Sequence, residues 1–406
     1  MLTAEPQAET MTPRARKRAR PLRIGIFGGY GSGNFGNDAS FEALYQFLRA
    51  RHPEAEISAI CSVPEVVNER FGVPTVAIVK RPTGLLRKLD TLLLRQPSTW
   101  TNWALCWKAL GNYDVIFSGG TGVFDDFRDT PLGWPSKLLR WCLAARLRAV
   151  PWAFVSVGAG PIVSPISRVM MKHAGALAAR RFYRDEDSYA FMRRLGVDKP
   201  GDAVWPDLAF LLAAPAENRA ACDTLTVGVG MMTYRGWQGS DAAYNAYIEL
   251  HVKLIQWLFT QGYDVRMVLG QAPTDLTAAR DVEARIGRKM IGPREENMTS
   301  IHDAMAAIAE TDIVVASRYH VQIAALKMGR PLVSLSYGPK NDALMADVGL
   351  EGFSQDVDNV DFELLTKQIS TIIAERARYA AVVRAKVGAM HAKLCEDLKQ
   401  LDLLVD

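Results

Sequence analysis

The chain lacks most features that would take it out of the ordinary run of soluble α/β proteins. Its five cysteines (Cys61, Cys106, Cys142, Cys222 and Cys395) lie far apart and form no C-x-x-C pair. That excludes a legible zinc site or disulfide frame and fits free thiols in a reducing cytoplasm, so no metal is expected. No apolar run reaches the roughly 18 residues that a membrane span needs, and the N-terminal tail has no apolar core of the secretory-signal type. Net charge is scarce too. Six basic and two acidic side chains within residues 1–23 account for the whole formal charge of +4. The rest is neutral overall and lacks the basic field that nucleic acid demands. The tail "TPRARKRARPLR" has two readings, a disordered solubilising extension or a segment resting on an anionic membrane surface.

What is present is 406 residues, 49% hydrophobic and 23% charged, enough for two cores. Short apolar runs ("RIGIFGG", "AEISAIC", "TVAIV", "YDVIFSGG", "PWAFVSVGAG") alternate with helix-length segments. Runs of this kind are buried strands of parallel sheets. After the polar stretch 212–223 the pattern restarts with "TLTVGVG", "YDVRMVLG", "KMIG", "DIVVAS" and "PLVSLSY". The expected organisation is a basic tail over 1–22, a Rossmann-like domain over 23–212, a second over 222–361 and a helical segment over 362–406 that packs back across both. The fold class is α/β, two Rossmann-like domains facing a cleft. Chemistry then belongs at the carboxyl ends of the strands.

Gly31, Gly33 and Gly36 spell G-x-G-x-x-G after the first strand. The turn is too long for a dinucleotide fingerprint, and Cys61 and Ser62 stand where the ribose-binding acid belongs, so neither a nicotinamide nor a flavin cofactor is expected. The backbone N–H groups of Gly31, Ser32, Gly33 and Asn34, with Asp38 at the start of the following helix, instead suit an anion or a sugar. Ser118, Gly119, Gly120 and Thr121 follow another strand, and Gly158 a third. Tight turns alone explain each such loop equally well; together they favour a polar, anionic ligand. Asp125, with Asp126 and Asp129, offers carboxylates for sugar hydroxyls, or a solvated loop. The densest segment is "DIVVASRYHVQIAALKMGRPLVSLSYGPKN". Ser317, Arg318 and His320 end one strand and Tyr337, Gly338 and Lys340 the next, so their cations can converge on one anion. Six of nine tryptophans fall between Trp100 and Trp152, and "GLLRKLDTLLLR" is amphipathic; core packing, sugar stacking and membrane contact all remain open.

The motifs "GSGNFGNDA", "IFSGGTGVFDD", "SVGAGPI", "YRDEDSYAFMRRLGV", "PDLAF" and "SRYHVQIAALKMGRPLVSLSYGPKN" resemble those of the polysaccharide pyruvyl transferases, from Arg23 to about Gly349. The resemblance implies a fold similar to the B-type glycosyltransferases and transfer of the enolpyruvyl unit of phosphoenolpyruvate onto two hydroxyls of a free or lipid-linked saccharide, in exopolysaccharide or cell-wall glycan synthesis. It places the family's key histidine and lysine at His320 and Lys340, and its arginine–aspartate pair at Arg184 and Asp185. One departure is Asn37, where the family's loop carries an acid. Phosphoenolpyruvate is a donor substrate, and no cofactor is implied. A cytoplasmic enzyme, peripheral on the inner membrane face, follows as an expectation. Two rival functions remain: a glycosyltransferase of the same fold using a nucleotide sugar, and a non-catalytic sugar- or anion-binding protein.

Overall fold

The computed structural model describes residues 20–92, 96–120, 122–126, 129–216, 224–236, 239–271, 274–292 and 298–405. Two parallel sheets organise them. The first contains β1 (Arg23–Gly28), β2 (Glu56–Cys61), β3 (Thr75–Ala77), β4 (Val115–Gly119), β5 (Trp152–Val157), β6 (Arg180–Tyr183) and β7 (Ala203–Val204), in the order β3-β2-β1-β4-β5-β6-β7. The second contains β8 (Thr226–Met231), β9 (Asp264–Leu269), β10 (Ile313–Ala316), β11 (Leu332–Ser336) and β12 (Ser354–Asp356), in the order β12-β11-β10-β8-β9. Strands β4, β5, β10 and β11 are buried at every position. Their continuous apolar character follows from helices covering both faces. The expected strand "KMIG" amounts to one isolated bridge between Arg266 and Ile291.

Among the described residues fourteen helices connect and flank the strands. In the first unit these are α1 (Phe35–Arg51), α2 (Pro64–Phe71), α3 (Gly84–Leu92), α4 (Gln96–Leu110), α5 (Trp134–Leu147), α6 (Pro165–Leu177) and α7 (Glu186–Arg194). The rest are α8 (Asp241–Thr260), α9 (Thr274–Ile286), α10 (Ile301–Ala309), α11 (Tyr319–Lys327), α12 (Pro339–Asp347), α13 (Phe362–Ala374) and α14 (Arg376–Asp397). Crossovers between parallel strands are right-handed. Strand order runs one way from β1 to β3 and the other way from β4 to β7, so α1 lies on one face of the first sheet and α4, α5 and α6 side by side on the other. The α1 face meets the second unit through α10. The opposite face has its own core, in which Phe27 meets Trp152 edge-on at 4.9 Å.

Each sheet reverses direction at its centre, between β1 and β4 and between β8 and β10. Such switch points leave a crevice beyond the strand ends. The C-terminal helices do pack back: α14 lies against α11 and the 3₁₀ turn Leu208–Leu211, and Lys393 Nζ donates to the Val204 carbonyl at 3.2 Å. Of the polar stretch expected to part the halves, residues 217–223 lie outside the described residues. Among the described residues no helix is long and apolar enough to cross a membrane.

Candidate active site

A cavity of about 460 Å³ opens where the two sets of strand ends face each other. From the first unit it takes Asn34 and Asn37, Gly122 and Asp125, the Gly158–Pro161 loop, and Arg184 with Asp185. From the second come Gly270, Arg318, Tyr319, His320, Tyr337, Gly338 and Lys340. Its size suits a small ligand rather than a buried polymer. The first turns of α1, α7, α11 and α12 all contribute to the lining, so four helix N-termini bring their positive ends to it, that of α7 capped by Asp185.

The cations expected to converge do so around two tyrosines. The Arg184 guanidinium lies 4.5 Å from the centre of the Tyr319 ring. Lys340 Nζ lies 5.9 Å from that ring and 4.7 Å from Tyr337. Burial raises the Tyr337 phenol, yet the charges of Lys340, Arg318 and Arg184 outweigh it and hold the phenol below its ordinary range. That is the signature of a concentrated positive field. Burial works against the Arg184 charge, but Tyr319, Asp185 and Asp207 more than restore it. Asp185 also caps α7 by accepting from the Ser188 amide at 2.7 Å.

Arg318 is more constrained than the sequence suggests. Its Nε and Nη2 donate to the two oxygens of fully buried Asp275, each at 2.5 Å. Asp275 also accepts from the amides of Gly270 and Thr233. The anion-clamping role expected of Arg318 is thereby reduced to Nη1, the one terminal nitrogen that carboxylate does not take.

His320 sits in the first turn of α11, its ring edge-on to Tyr319 at 5.2 Å. Its Nε2 stands 3.6 Å from Oδ2 of Asp207, and Arg184 Nη1 approaches the same oxygen at 3.6 Å. Among the described residues Asp207 Oδ2 has no hydrogen-bond partner, and neither does His320 Nε2. Burial opposes the Asp207 charge, but His320, Arg184 and the Ala209 amide hold the carboxyl below the usual range. Across the cleft, Gly36 presses against the imidazole: an added β-carbon would stand 1.9 Å from Nδ1. Sequence reasoning assigned no role to Asp207, Asp275 or Gly36. The signal for Asp207 was the motif "PDLAF" itself, one of those that carry the family resemblance.

Several residues expected in the site serve packing instead. The loop gives the cavity Asn34 and Asn37, not Gly31, Ser32 or Gly33. The Gly31 amide donates to Asp38 at 2.7 Å and its Cα faces the Val63 carbonyl, while Ser32 Oγ donates to Gly29. Asn34, not Asp38, caps α1, accepting from the Gly36 amide. Asp38 is buried and paired with Arg70 at 2.7 Å. Ser118 lies inside β4; Gly119 packs on Leu44 and Gly120 on Ser40. Ser317 is buried, its carbonyl accepting from Asn341 at 2.9 Å. Thr121 lies outside the described residues. Of the three acids, Asp125 alone lines the cavity; Asp126 accepts from Val163, and Asp129 from Thr130 and Trp134.

Comparison with solved structures places the fold among the B-type glycosyltransferases and sugar epimerases. A glycosyltransferase from Rickettsia africae ESF-5 superposes with a TM-score of 0.59 at 11% identity, over 95% of this chain and 98% of that one. A UDP-GlcNAc 2-epimerase from Neisseria meningitidis, solved bound to UDP-GlcNAc, gives 0.54 at 12% identity over 93% and 100%. A search of curated proteins returns no match. The family pattern for polysaccharide pyruvyl transferase matches residues 34–339, which hold the cavity lining from Asn34 to Pro339 and stop one residue short of Lys340. With that match running over most of its length, the chain belongs to the polysaccharide pyruvyl transferase family.

Proposed function

We infer that the protein moves the enolpyruvyl unit of phosphoenolpyruvate onto two hydroxyls of a saccharide, forming a cyclic pyruvate ketal and releasing phosphate. The observation that carries this reading is the convergence of Arg184, Lys340 and His320 in one cavity, with Asp207 behind the histidine and the arginine. Phosphoenolpyruvate presents a carboxylate and a phosphate. Lys340, Arg184 and Arg318 Nη1, with the N-termini of α1, α11 and α12, supply the matching positive field.

In this mechanism His320 gives its proton to the methylene carbon, turning it into a methyl group and leaving an oxocarbenium-like centre on the neighbouring carbon. One saccharide hydroxyl attacks that carbon and the phosphate–carbon bond breaks. The second hydroxyl then closes the ring. Of the two hydroxyl protons, one restores the imidazolium and the other leaves on phosphate. Asp207 stabilises the charged imidazole and orients it, and Arg184 and Lys340 take no part in the proton transfers. Asp125 and Asn37 are placed to accept from and donate to acceptor hydroxyls. The reaction as written uses no cofactor.

The glycosyltransferase-like fold keeps one rival alive, transfer from a nucleotide sugar. Incubation with phosphoenolpyruvate and a panel of saccharides, followed by phosphate assay and mass spectrometry of the glycan, decides between them. Phosphate release coupled to a ketal-sized mass gain supports the reading. Glycosyl transfer from a nucleotide sugar, with phosphoenolpyruvate ignored, overturns it.

A further inference from the structure

The face of the first sheet that carries α4, α5 and α6 points away from the second unit, which packs against the α1 side. Its charge is one-sided. The described part of residues 71–113 and 130–183, which supply this face and the strands beneath it, contains thirteen lysines and arginines, Arg181 among them buried against Asp202, and a single carboxylate, Asp90. Asp90 is buried and accepts from the Ser98 amide at 2.8 Å. The chain beyond its tail is neutral overall, so this is a segregation of charge onto one surface. Lys108, Arg146, Arg168 and Lys172 are all exposed there.

Large apolar side chains lie among these bases. Trp100 is 71% exposed, Leu147 63% and Ile166 59%, with Trp107 and Val169 beside them. Trp100 and Trp107, seven residues apart, share one stripe of α4; Ile166, Val169 and Lys172, at intervals of three, share one stripe of α6. The Arg148 guanidinium covers the Trp107 ring at 4.7 Å. Single exposed apolar residues need no explanation. Their coincidence with three neighbouring helices free of surface acid does.

We propose that this face docks onto an anionic lipid bilayer. Indoles and long basic side chains are the chemistry of the headgroup layer. A nucleic acid would satisfy the charge but leave Leu147, Ile166 and Val169 without a partner. A symmetric dimer through this face would set its bases against their own copies. The loops Gly122–Asp125 and Gly158–Pro161 line the cavity and lead into α5 and α6. Docking therefore brings the cavity beside the headgroups, where a saccharide attached to a lipid would enter. The proposal does not depend on the ketal chemistry.

The test is sedimentation of the full chain with phosphatidylcholine vesicles, with or without phosphatidylglycerol, at low and high salt. Binding is expected only to the anionic vesicles and should weaken with salt. Arg146→Glu with Arg168→Glu and Lys172→Glu should weaken it at least about tenfold. Trp100→Ser with Ile166→Ser should remove the part that survives salt, with thermal melts confirming that both variants fold. Undiminished binding by both variants would assign the affinity to the basic tail and overturn the proposal. So would equal binding to neutral vesicles, no binding at all, comparable affinity for RNA, or a two-chain mass in light scattering that the serine variant abolishes.

Discussion

Gly36 and His320 touch across the cleft so closely that a β-carbon on the glycine would stand 1.9 Å from the imidazole Nδ1. Gly36 lies in the first turn of α1 with ordinary helical neighbours, so alanine there is free of backbone strain and acts only on the ring. Either the imidazole turns away from Asp207 or the two units part slightly. A displacement of about 1 Å costs on the order of 100-fold in rate. Gly36→Ala should therefore lose turnover by about that factor while its melting temperature stays near that of the parent. Full turnover in the variant would mean that the working position of His320 is not the one seen here.

Asp207 holds His320 and Arg184 through the same oxygen, at 3.6 Å from each. Asp207→Asn keeps the shape and removes the charge. Arg184 still has Asp185 at 3.3 Å, so donor affinity should change far less than kcat, which should drop at least about tenfold. Measuring donor binding and single-turnover rate separately makes the distinction. A loss confined to donor affinity would make Asp207 a partner of Arg184 alone.

The buried strands were readable from the sequence because parallel sheets covered on both faces demand unbroken apolar runs. Strands β6, β7 and β12 were not. β6 opens with Arg180 and Arg181, and Arg181 is buried only because Asp202 pairs with it at 2.7 Å. The cations of the site were readable for a related reason: Arg318, His320 and Lys340 follow strand ends that the topology brings together. Distant partners were beyond reach. Asp275 binds Arg318 from another connection, Asp207 meets His320 from the other unit, and Gly36 is a glycine because of a ring in the opposite wall. The two glycine-rich loops misled because tight packing of Gly31 on Val63, Gly119 on Leu44 and Gly120 on Ser40 calls for the same residue type as a phosphate cradle.

Lys340 is placed to test the donor site most directly. It lies in the first turn of α12 with its ammonium over Tyr337, among the charges that lower that phenol. Losing one charge-assisted contact to a bound anion typically costs about 1.5–3 kcal/mol, or roughly 10- to 150-fold in affinity. Lys340→Ala should weaken phosphoenolpyruvate binding by that range, and inorganic phosphate should compete in the parent. Unchanged affinity by calorimetry would place the donor elsewhere in the cavity.

His251, far from the site in α8, predicts an acid limit to stability. Burial pulls its imidazole down to about 4, against a modest opposing effect of the Tyr247 carbonyl that Nδ1 meets at 2.8 Å. An unfolded chain takes up that proton near pH 6.5, so between about 6.5 and 4 the unfolded state binds more protons than the folded one. Stability therefore falls as pH drops through this window, by up to about 3 kcal/mol from this group. His251→Leu removes the titrating group, and its melting temperature should change less between neutral and acidic buffer than that of the parent. Parallel curves for the two proteins would show that other groups set the acid limit.

The remaining prediction concerns the proton itself. His320 is the histidine that lines the cavity, in the first turn of a helix, its Nε2 3.6 Å from Oδ2 of buried Asp207. The other five histidines belong elsewhere; His251 is sealed in α8 and His302 is paired with Glu42 at 2.8 Å. Glutamine retains the size and keeps an N–H group facing Asp207, but it cannot deliver a proton to carbon. His320→Gln should lower turnover by about 10²–10⁴-fold with donor affinity and melting temperature little changed. In deuterated buffer the parent should place solvent deuterium in the ketal methyl group, which mass spectrometry reads. Near-normal turnover in a folded His320→Gln protein would move the acid role to another group in the cavity, Asp185 first.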